Sequence, residues 1–172
     1  MKKWLVMVDV DNTLARSSLG IHPGDRTAWA RALACPIRAI PAAARTLPGV
    51  AKLADVALVS GRPEYVEPQT RRWMRRHFSG LTYRLHLCPV GTDPRDFKAE
   101  VFRTYRRRYA GQVCAIDDVR FDGPRHFFTA PHGWANLLAF LQQVAGESAL
   151  PTADDSAAEA PAAEPAAEQV VS

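Results

Sequence analysis

Cysteine is scarce in this sequence, and the three that occur lie far apart. No CxxC pair and no cluster of Cys with His gives the spacing of metal ligands around Cys35, Cys88 or Cys114. Isolated cysteines of this kind are typical of a reducing compartment. The sequence therefore predicts a cytoplasmic protein and excludes a cysteine-based metal site.

Long apolar runs are also missing. No segment approaches the roughly 18 consecutive apolar residues of a membrane helix, so we expect no contact with a membrane. The first residues, 1–8, superficially resemble a secretory signal, but Asp9 and Asp11 interrupt the apolar run too early. No GxxxxGK[ST] loop occurs, which excludes a kinase domain of the P-loop type in this chain.

Positive charge is missing from the last part of the chain. Residues 151–172 contain five acids and no Lys or Arg, and without them the net charge rises from +4 to +9. A body this basic favours anionic partners such as nucleotides or nucleic acid, although a GC-rich genome with an Arg-rich codon bias explains it equally well. Ala, Pro and Glu dominate the end of the chain, which predicts one domain over 1–146 and a disordered acidic tail over 147–172.

Strand-like and helix-like patterns alternate through the body of the chain. The strand patterns cover 3–9, 55–60, 83–87, 113–116 and 126–129, and the helix patterns cover 25–34, 41–47, 67–78, 96–109 and 133–145. Asp25 suits the N-cap of the first helix, and Pro41 and Pro68 suit first helical turns. This alternation predicts an α/β fold with a Rossmann-like, doubly wound parallel sheet.

The most informative segment is the pentapeptide DVDNT at residues 9–13. It follows the apolar run 4–8, which is typical of a strand buried on both faces of a parallel sheet. Its carboxylates therefore emerge at the carboxyl end of that strand, where open α/β sheets bind their ligands. Asp9 and Asp11, one residue apart beside the Thr13 hydroxyl, can hold a divalent cation and keep one oxygen for attack. Taken alone, the pentapeptide also fits an ordinary polar turn after a strand.

Two further elements place polar groups at the same edge of the predicted sheet. The second strand ends in Ser60, Gly61 and Arg62, and the absence of a side chain at Gly61 lets backbone amides approach an anion. Lys98 lies at the start of a helix, on the same face as the apolar residues of that helix, so we expect its ammonium group to point toward the sheet edge. A plain turn and a solvated lysine are the simpler alternatives for each element by itself.

A second carboxylate pair follows the apolar strand 113–116. Asp117 and Asp118 match a hard cation, which prefers oxygen ligands. The four elements occur in the order DxDxT, Ser-Gly-Arg, Lys at a helix start and Asp-Asp. Each lies at a predicted strand end or helix start on one edge, and their joint occurrence is far less expected by chance than any one of them.

In this order the four elements resemble the motifs of the haloacid dehalogenase (HAD) superfamily of phosphohydrolases, over about residues 3–145. The resemblance implies Mg²⁺-dependent phosphoryl transfer through an aspartyl-phosphate. It makes Asp9 the nucleophile and Asp11 the general acid and base, with Lys98 offsetting the charge of the transferring group. The implied Mg²⁺ ligands are Asp9, Asp11, Asp117 and Asp118. The implied substrate-binding residues are Thr13, Ser60, Gly61 and Arg62.

The gaps between the motifs leave little room for a cap domain. Thr13 and Ser60 are 47 positions apart, Ser60 and Lys98 are 38 apart, and both gaps must also supply elements of the sheet. HAD enzymes select substrates largely through caps inserted at these places. We therefore expect minimal or no cap, with at most a small helical flap around 19–35, and an open site that suits bulky substrates.

Within the superfamily, the chain resembles the phosphatase domain of phage polynucleotide kinase/3′-phosphatases and their stand-alone phage relatives. The stretches that carry this resemblance are 60–64, 70–74, 93–98 and 116–118. It implies a phosphorylated nucleic-acid end as substrate, with the 3′-phosphate favoured and a free nucleoside monophosphate as the close alternative. A non-catalytic module that binds nucleic acid or protein is the alternative of another class.

Two arginine clusters and two tryptophans leave alternatives open. The arginines within 71–76 and within 103–108 could follow a nucleic-acid backbone, although solvated basic faces explain them somewhat better. Trp29 and Trp73 could stack on bases, although tryptophans at helical spacing more often belong to the core.

Overall fold

The computed structural model describes residues 2–17, 21–22 and 24–147, so most of the predicted tail and part of the predicted flap lie outside the described residues. One sheet contains five strands, all parallel to their neighbours. The strands are β1 (Leu5–Val8), β2 (Asp55–Pro63), β3 (Arg84–Cys88), β4 (Val113–Asp117) and β5 (His126–Thr129). Their order across the sheet is β3-β2-β1-β4-β5. The predicted parallel α/β fold is confirmed.

The described residues form five helices. They are α1 (Arg26–Ala34), α2 (Pro41–Leu53), α3 (Glu67–His77), α4 (Pro94–Arg108) and α5 (Trp134–Glu147), and a 3-10 turn at Glu64–Val66 joins β2 to α3. Residues of α2, α3 and α5 pack together on one face of the sheet, and α4 packs on the other. The sheet is therefore doubly wound in the Rossmann-like sense.

The position of β1 between two layers of helices explains why every residue of this strand is apolar. Val6 and Val8 pack in the core with α2, α3 and α5, whereas Leu5 and Met7 pack in the core with α4. Successive side chains of a strand point to opposite faces, so a strand with helices on both faces must be apolar at every position. All four residues are buried, with at most 2% of any of them exposed.

Helix α2 is much longer than the sequence predicts, and the ends of the other four helices shift by one or two residues. Helix α2 does not end at 47 but continues through Pro48 to Leu53, because Leu47 and Val50 are buried on its inner face and Gly49 lies against Leu138 of α5. Tertiary packing here outweighs the loss of one backbone hydrogen bond at the exposed proline. Helix α4 begins two residues early, at Pro94.

The early start of α4 has a local cause that the sequence contains. Asp93 is the N-cap, and its carboxylate accepts hydrogen bonds from the backbone N–H groups of Arg95 and Asp96. Proline suits the position directly after an N-cap, because its missing N–H would have no partner there. Lys98 is consequently the fifth residue of the helix rather than the third, and lies in its second turn.

The strand order contains a single topological switch point. The chain passes from β1 outward to β2 and β3, and then returns to add β4 on the other side of β1. Ligands of open α/β sheets bind in the crevice outside the carboxyl ends of the strands at such a point. Within the described part of the chain, no helix is both long and apolar enough to span a membrane.

Candidate active site

The switch point brings the first and last predicted carboxylates together. Strands β1 and β4 pair in register, with Val8 opposite Ile116, so Asp9 and Asp117 occupy adjacent positions at the ends of neighbouring strands. The backbone N–H of Asp9 donates to the carbonyl of Ile116 at 3.0 Å and continues the ladder. Asp9 is 5% exposed and Asp117 is 2% exposed, so both carboxylates are buried.

Lys98 bridges these two acids. Its Nζ lies 2.9 Å from Oδ1 of Asp9 and 2.6 Å from Oδ2 of Asp117. The prediction that Lys98 points inward from α4 is confirmed, because Phe102 and Tyr105 of the same helix face are buried against the sheet. A lysine on this buried stripe reaches the sheet edge with its charged end, where it meets the two carboxylates.

The pKa values of this cluster show how burial and charge compete. Burial by itself lowers the pKa of Lys98, but the charges of Asp9 and Asp117 outweigh it and hold that pKa above its usual range. Burial raises the pKa of Asp9 to about 8, because Lys98 offsets only part of the desolvation and Asp117 and Asp11 add repulsion. Burial likewise raises the pKa of Asp117. The cluster thus holds more negative charge than Lys98 neutralises.

The same cluster has the composition of a divalent-cation site. Asp9, Asp117 and the half-buried Asp118 each offer a carboxylate oxygen, and these atoms lie within 4.8 Å of one another. Hard cations such as Mg²⁺ prefer oxygen ligands of this kind. When all four site carboxylates, those three and Asp11, are ionised, Lys98 and Arg62 balance two of the charges. The remaining two negative charges equal the charge of one divalent cation, so the residues fit such an ion.

Asp11 has a cation of its own, which the sequence did not predict. Nε of Arg62 donates to Oδ2 of Asp11 at 2.9 Å, and Nη2 of Arg62 donates to Oδ1 at 2.7 Å. The hydroxyl of Ser17 also donates to Oδ1 of Asp11. The Asp11 side chain is 23% exposed, whereas the Arg62 side chain is completely buried. Asp11 is therefore oriented by a fixed, bidentate guanidinium.

Thr70 completes the support of Arg62. Nη1 of Arg62 donates to the hydroxyl oxygen of Thr70 in α3 at 3.2 Å. Thr70 is fully buried and lies between Val66 and Met74 on the inner face of that region. A polar residue on an otherwise apolar stripe was the sequence signal for this role. Arg62 was expected to lie close to a substrate phosphate, and in this structure its guanidinium is engaged by Asp11 and Thr70.

The other predicted substrate-binding residues lie near the end of β2 and in the loop after β1. The Ser60 hydroxyl is buried and its oxygen accepts a hydrogen bond from the backbone N–H of Arg62 at 3.2 Å, which leaves the hydroxyl hydrogen able to donate. A Cβ on Gly61 would lie 3.1 Å from Cβ of Pro94, so a glycine allows the end of β2 to approach the start of α4. The Thr13 hydroxyl is buried without a hydrogen-bond partner among the described residues.

Asn12 also helps to position the site, which its sequence pattern did not indicate. It adopts a φ of 57°, in the left-handed region, which asparagine tolerates better than most residues. Its side-chain amide donates to Oδ2 of Asp118 at 3.1 Å. Asn12 thereby links the loop after β1 to the loop after β4 and fixes the position of the third carboxylate.

The fold and the site together define an α/β protein with a Rossmann-like sheet and a cation-braced carboxylate cluster at its switch point. Neither the protein-family models nor the curated proteins that were compared with this chain give a match.

Proposed function

We propose that this protein is a Mg²⁺-dependent phosphomonoesterase of the HAD superfamily, which acts through an aspartyl-phosphate on Asp9. The observation that carries the proposal is the contact of Lys98 with both Asp9 and Asp117, at 2.9 and 2.6 Å, with Asp118 within reach of the same cation site. An ordinary structural ion pair does not require a third carboxylate at a topological switch point, whereas phosphoryl transfer uses all of these groups.

The first half of the reaction forms the covalent intermediate. A carboxylate oxygen of Asp9 attacks the phosphorus, and the bond between phosphorus and the ester oxygen of the substrate breaks. Protonated Asp11 gives its proton to that leaving oxygen. Because Arg62 and Ser17 bind both oxygens of Asp11 in this structure, the acid must exchange at least one of these contacts for the substrate.

The second half of the reaction restores the protein. Asp11, now ionised, accepts a proton from a water molecule as the water oxygen attacks phosphorus. The bond between phosphorus and Asp9 breaks, and inorganic phosphate leaves. Lys98 and the Ser60 hydroxyl stabilise the charge on the phosphoryl oxygens. Asp9, Asp117 and Asp118, together with the backbone carbonyl of Asp11, would hold Mg²⁺, which would supply further positive charge to the same oxygens.

The favoured substrate is the 3′-phosphate of a polynucleotide. The resemblance to phage 3′-phosphatase domains and the +9 charge of residues 1–150 support a nucleic-acid end. In the described part of the chain, α1 is the only helix between β1 and α2, which supports a site with at most a small flap and room for a bulky substrate.

Phosphate release from a substrate panel tests the proposal. The panel contains oligonucleotides phosphorylated at the 3′ or the 5′ end, nucleoside 3′- and 5′-monophosphates and several sugar phosphates, with Mg²⁺ or EDTA. We expect release from 3′-phosphorylated oligonucleotides, dependent on Mg²⁺ and absent in the Asp9→Asn variant. Activity of that variant above about a hundredth of the wild type contradicts the covalent mechanism.

The same panel separates the alternatives. Release from nucleoside monophosphates alone makes the protein a nucleotidase with the same chemistry. No release from any substrate favours the non-catalytic alternative, in which the basic domain binds nucleic acid or protein.

A further inference from the structure

A basic groove lies between α3 and the segment that follows α1. Its volume is about 430 Å³, and none of the residues that line it is acidic. We call it the arginine groove and define it by six of its lining residues: Ile37, Arg38, Gln69, Arg72, Trp73 and Arg76.

Helix geometry explains why one face of α3 forms a wall of this groove. Gln69, Arg72, Trp73 and Arg76 follow at spacings of three and four, so they share one face of the helix. Thr70 and Met74 occupy the buried face. The wall therefore presents two arginines one turn apart, with the half-buried indole of Trp73 beside them.

The two walls of the groove are held together by a specific contact. The indole N–H of Trp73 donates to the backbone carbonyl of Ile37 at 2.9 Å. The Trp73 ring also packs against His77 and Phe78 at centroid distances of 4.9 and 5.7 Å. The groove is thus fixed before any ligand binds, which reduces the entropy lost on binding.

Among the described residues, the arginines of the groove are not engaged in ion pairs, unlike Arg71 and Arg103. Arg71 is paired with Glu67 at 2.6 Å, and Arg103 is paired with Glu100 at 2.6 Å. Arg38, Arg72 and Arg76 are exposed and form no ion pair with any described residue. Three guanidinium groups that are not engaged in ion pairs attract a polyanion more strongly than paired ones.

Both walls of the groove are connected to residues that bind or support Asp11. On one side, Gln69 directly precedes Thr70, whose hydroxyl binds Arg62. On the other side, the backbone carbonyl of Arg38 accepts a hydrogen bond from the N–H of Arg16 at 2.9 Å. The next residue after Arg16 is Ser17, which donates to Asp11. These contacts link both walls of the groove to the residues that hold Asp11.

We propose that the arginine groove binds the single-stranded polynucleotide next to the phosphorylated end. This inference rests on the proposed function and extends it to the nucleotides that do not react. Arg38, Arg72 and Arg76 contact backbone phosphates, and the apolar surface of Trp73 and Ile37 contacts bases. A combination of phosphate-binding cations with an aromatic surface is how proteins bind single strands without reading their sequence.

Direct binding of an oligonucleotide to the full chain tests the groove. The probe is a fluorescent 12-mer of deoxythymidine with a 3′-hydroxyl, which carries no cleavable phosphate. The test variant is Arg72→Ala/Arg76→Ala, and the matched control is Arg106→Ala/Arg107→Ala, which removes the same charge from exposed positions of α4. Fluorescence anisotropy at several salt concentrations gives Kd and its salt dependence.

We expect the test variant to raise Kd at least tenfold and the control to change it less than threefold. Loss of two phosphate contacts to a single strand lowers the slope of log Kd against log salt by about 1.4. An equal effect of both variants, or an unchanged slope in the test variant, overturns the proposal. Binding of oligoglutamate as tight as that of the 12-mer, and lost in the test variant, assigns the groove to an acidic protein segment instead.

Turnover separates failure of this inference from failure of the proposed function. For each variant, the ratio of kcat/KM for a 3′-phosphorylated 12-mer to kcat/KM for a nucleoside 3′-monophosphate is measured. We expect the ratio to fall at least tenfold in the test variant and to stay unchanged in the control. No phosphate release from either substrate, with groove-dependent binding of the 12-mer, overturns the proposed function and keeps the groove as a nucleic-acid site.

Discussion

The Arg62 guanidinium and the Asp11 carboxylate form a bidentate pair, with N···O distances of 2.9 and 2.7 Å. Lys98 meanwhile binds Asp9, two residues earlier in the chain, at 2.9 Å. Each acid of the loop after β1 therefore has a different cation, supplied by a different element. This separation gives the two carboxylates different surroundings: burial raises the pKa of Asp9, whereas a guanidinium binds both oxygens of Asp11.

The first test of this arrangement removes the hydroxyl of Thr70. Replacing Thr70 with Val keeps the shape of the side chain but leaves Nη1 of the buried Arg62 without its acceptor. An unsatisfied buried donor costs about 1–3 kcal/mol, so we expect urea unfolding to show a loss of that size. Turnover should also fall, because Arg62 holds Asp11. Thr70→Ser keeps the acceptor and should lose less stability and less turnover. Equal effects of the Val and Ser substitutions contradict the role of Thr70 as the acceptor for Arg62.

The second test replaces Lys98. Lys98→Met removes the ammonium group and leaves the buried Asp9 and Asp117 facing each other without a cation. We expect turnover to fall at least about a hundredfold, as when one donor to a transition state is removed. Metal-free stability at neutral pH should fall by about 3 kcal/mol, since an uncompensated buried charge remains. Unchanged stability in EDTA contradicts the ion-pair geometry.

The pH dependence of metal-free stability is the third test. Because burial raises the pKa of Asp9 from 3.8 to about 8, the folded state binds more protons than the unfolded state between these values. Stability therefore falls as pH rises through this interval, on the order of a few kcal/mol. Urea unfolding in EDTA at pH 5, 6.5 and 8 measures the decline. Saturating Mg²⁺ should stabilise the protein more at pH 8 than at pH 5, and a rise in metal-free stability with pH contradicts the assignment.

Asp9→Asn is the fourth test and isolates the source of that decline. The variant carries no titrating carboxyl at this position, so the fall between pH 5 and pH 8 should be smaller than in the wild type. At pH 8 in EDTA the variant should be the more stable of the two proteins, because Lys98 then neutralises Asp117 alone. Calorimetric or urea unfolding checks this, and a variant less stable than wild type at pH 8 speaks against excess negative charge in the site.

The segment beyond the described residues provides the fifth test. Residues 151–172 are rich in Ala, Pro and Glu and contain no aromatic residue, so they offer little surface for a core. We expect their deletion to leave the melting temperature and turnover nearly unchanged. A fall of more than a few degrees in a thermal melt means that the segment docks on the domain.

The sequence by itself determined the order of strands and helices and the edge at which the polar groups emerge. Apolar runs, helical periodicity and proline positions act over a few residues, so β1, β4 and the inward face of α4 were predictable from local pattern. The register of β1 with β4 then made Asp9 and Asp117 neighbours.

Only the tertiary structure decided which cation meets which carboxylate. Arg62 reaches Asp11 because β2 pairs with β1, and Ser17 reaches it because the chain turns back after the loop. Thr70 of α3 in turn binds Arg62. The arginine groove exists for the same reason, since its walls are more than 30 residues apart and are joined by Trp73 and Ile37. Side-chain pairs between distant elements depend on how those elements pack, and no local pattern encodes that distance.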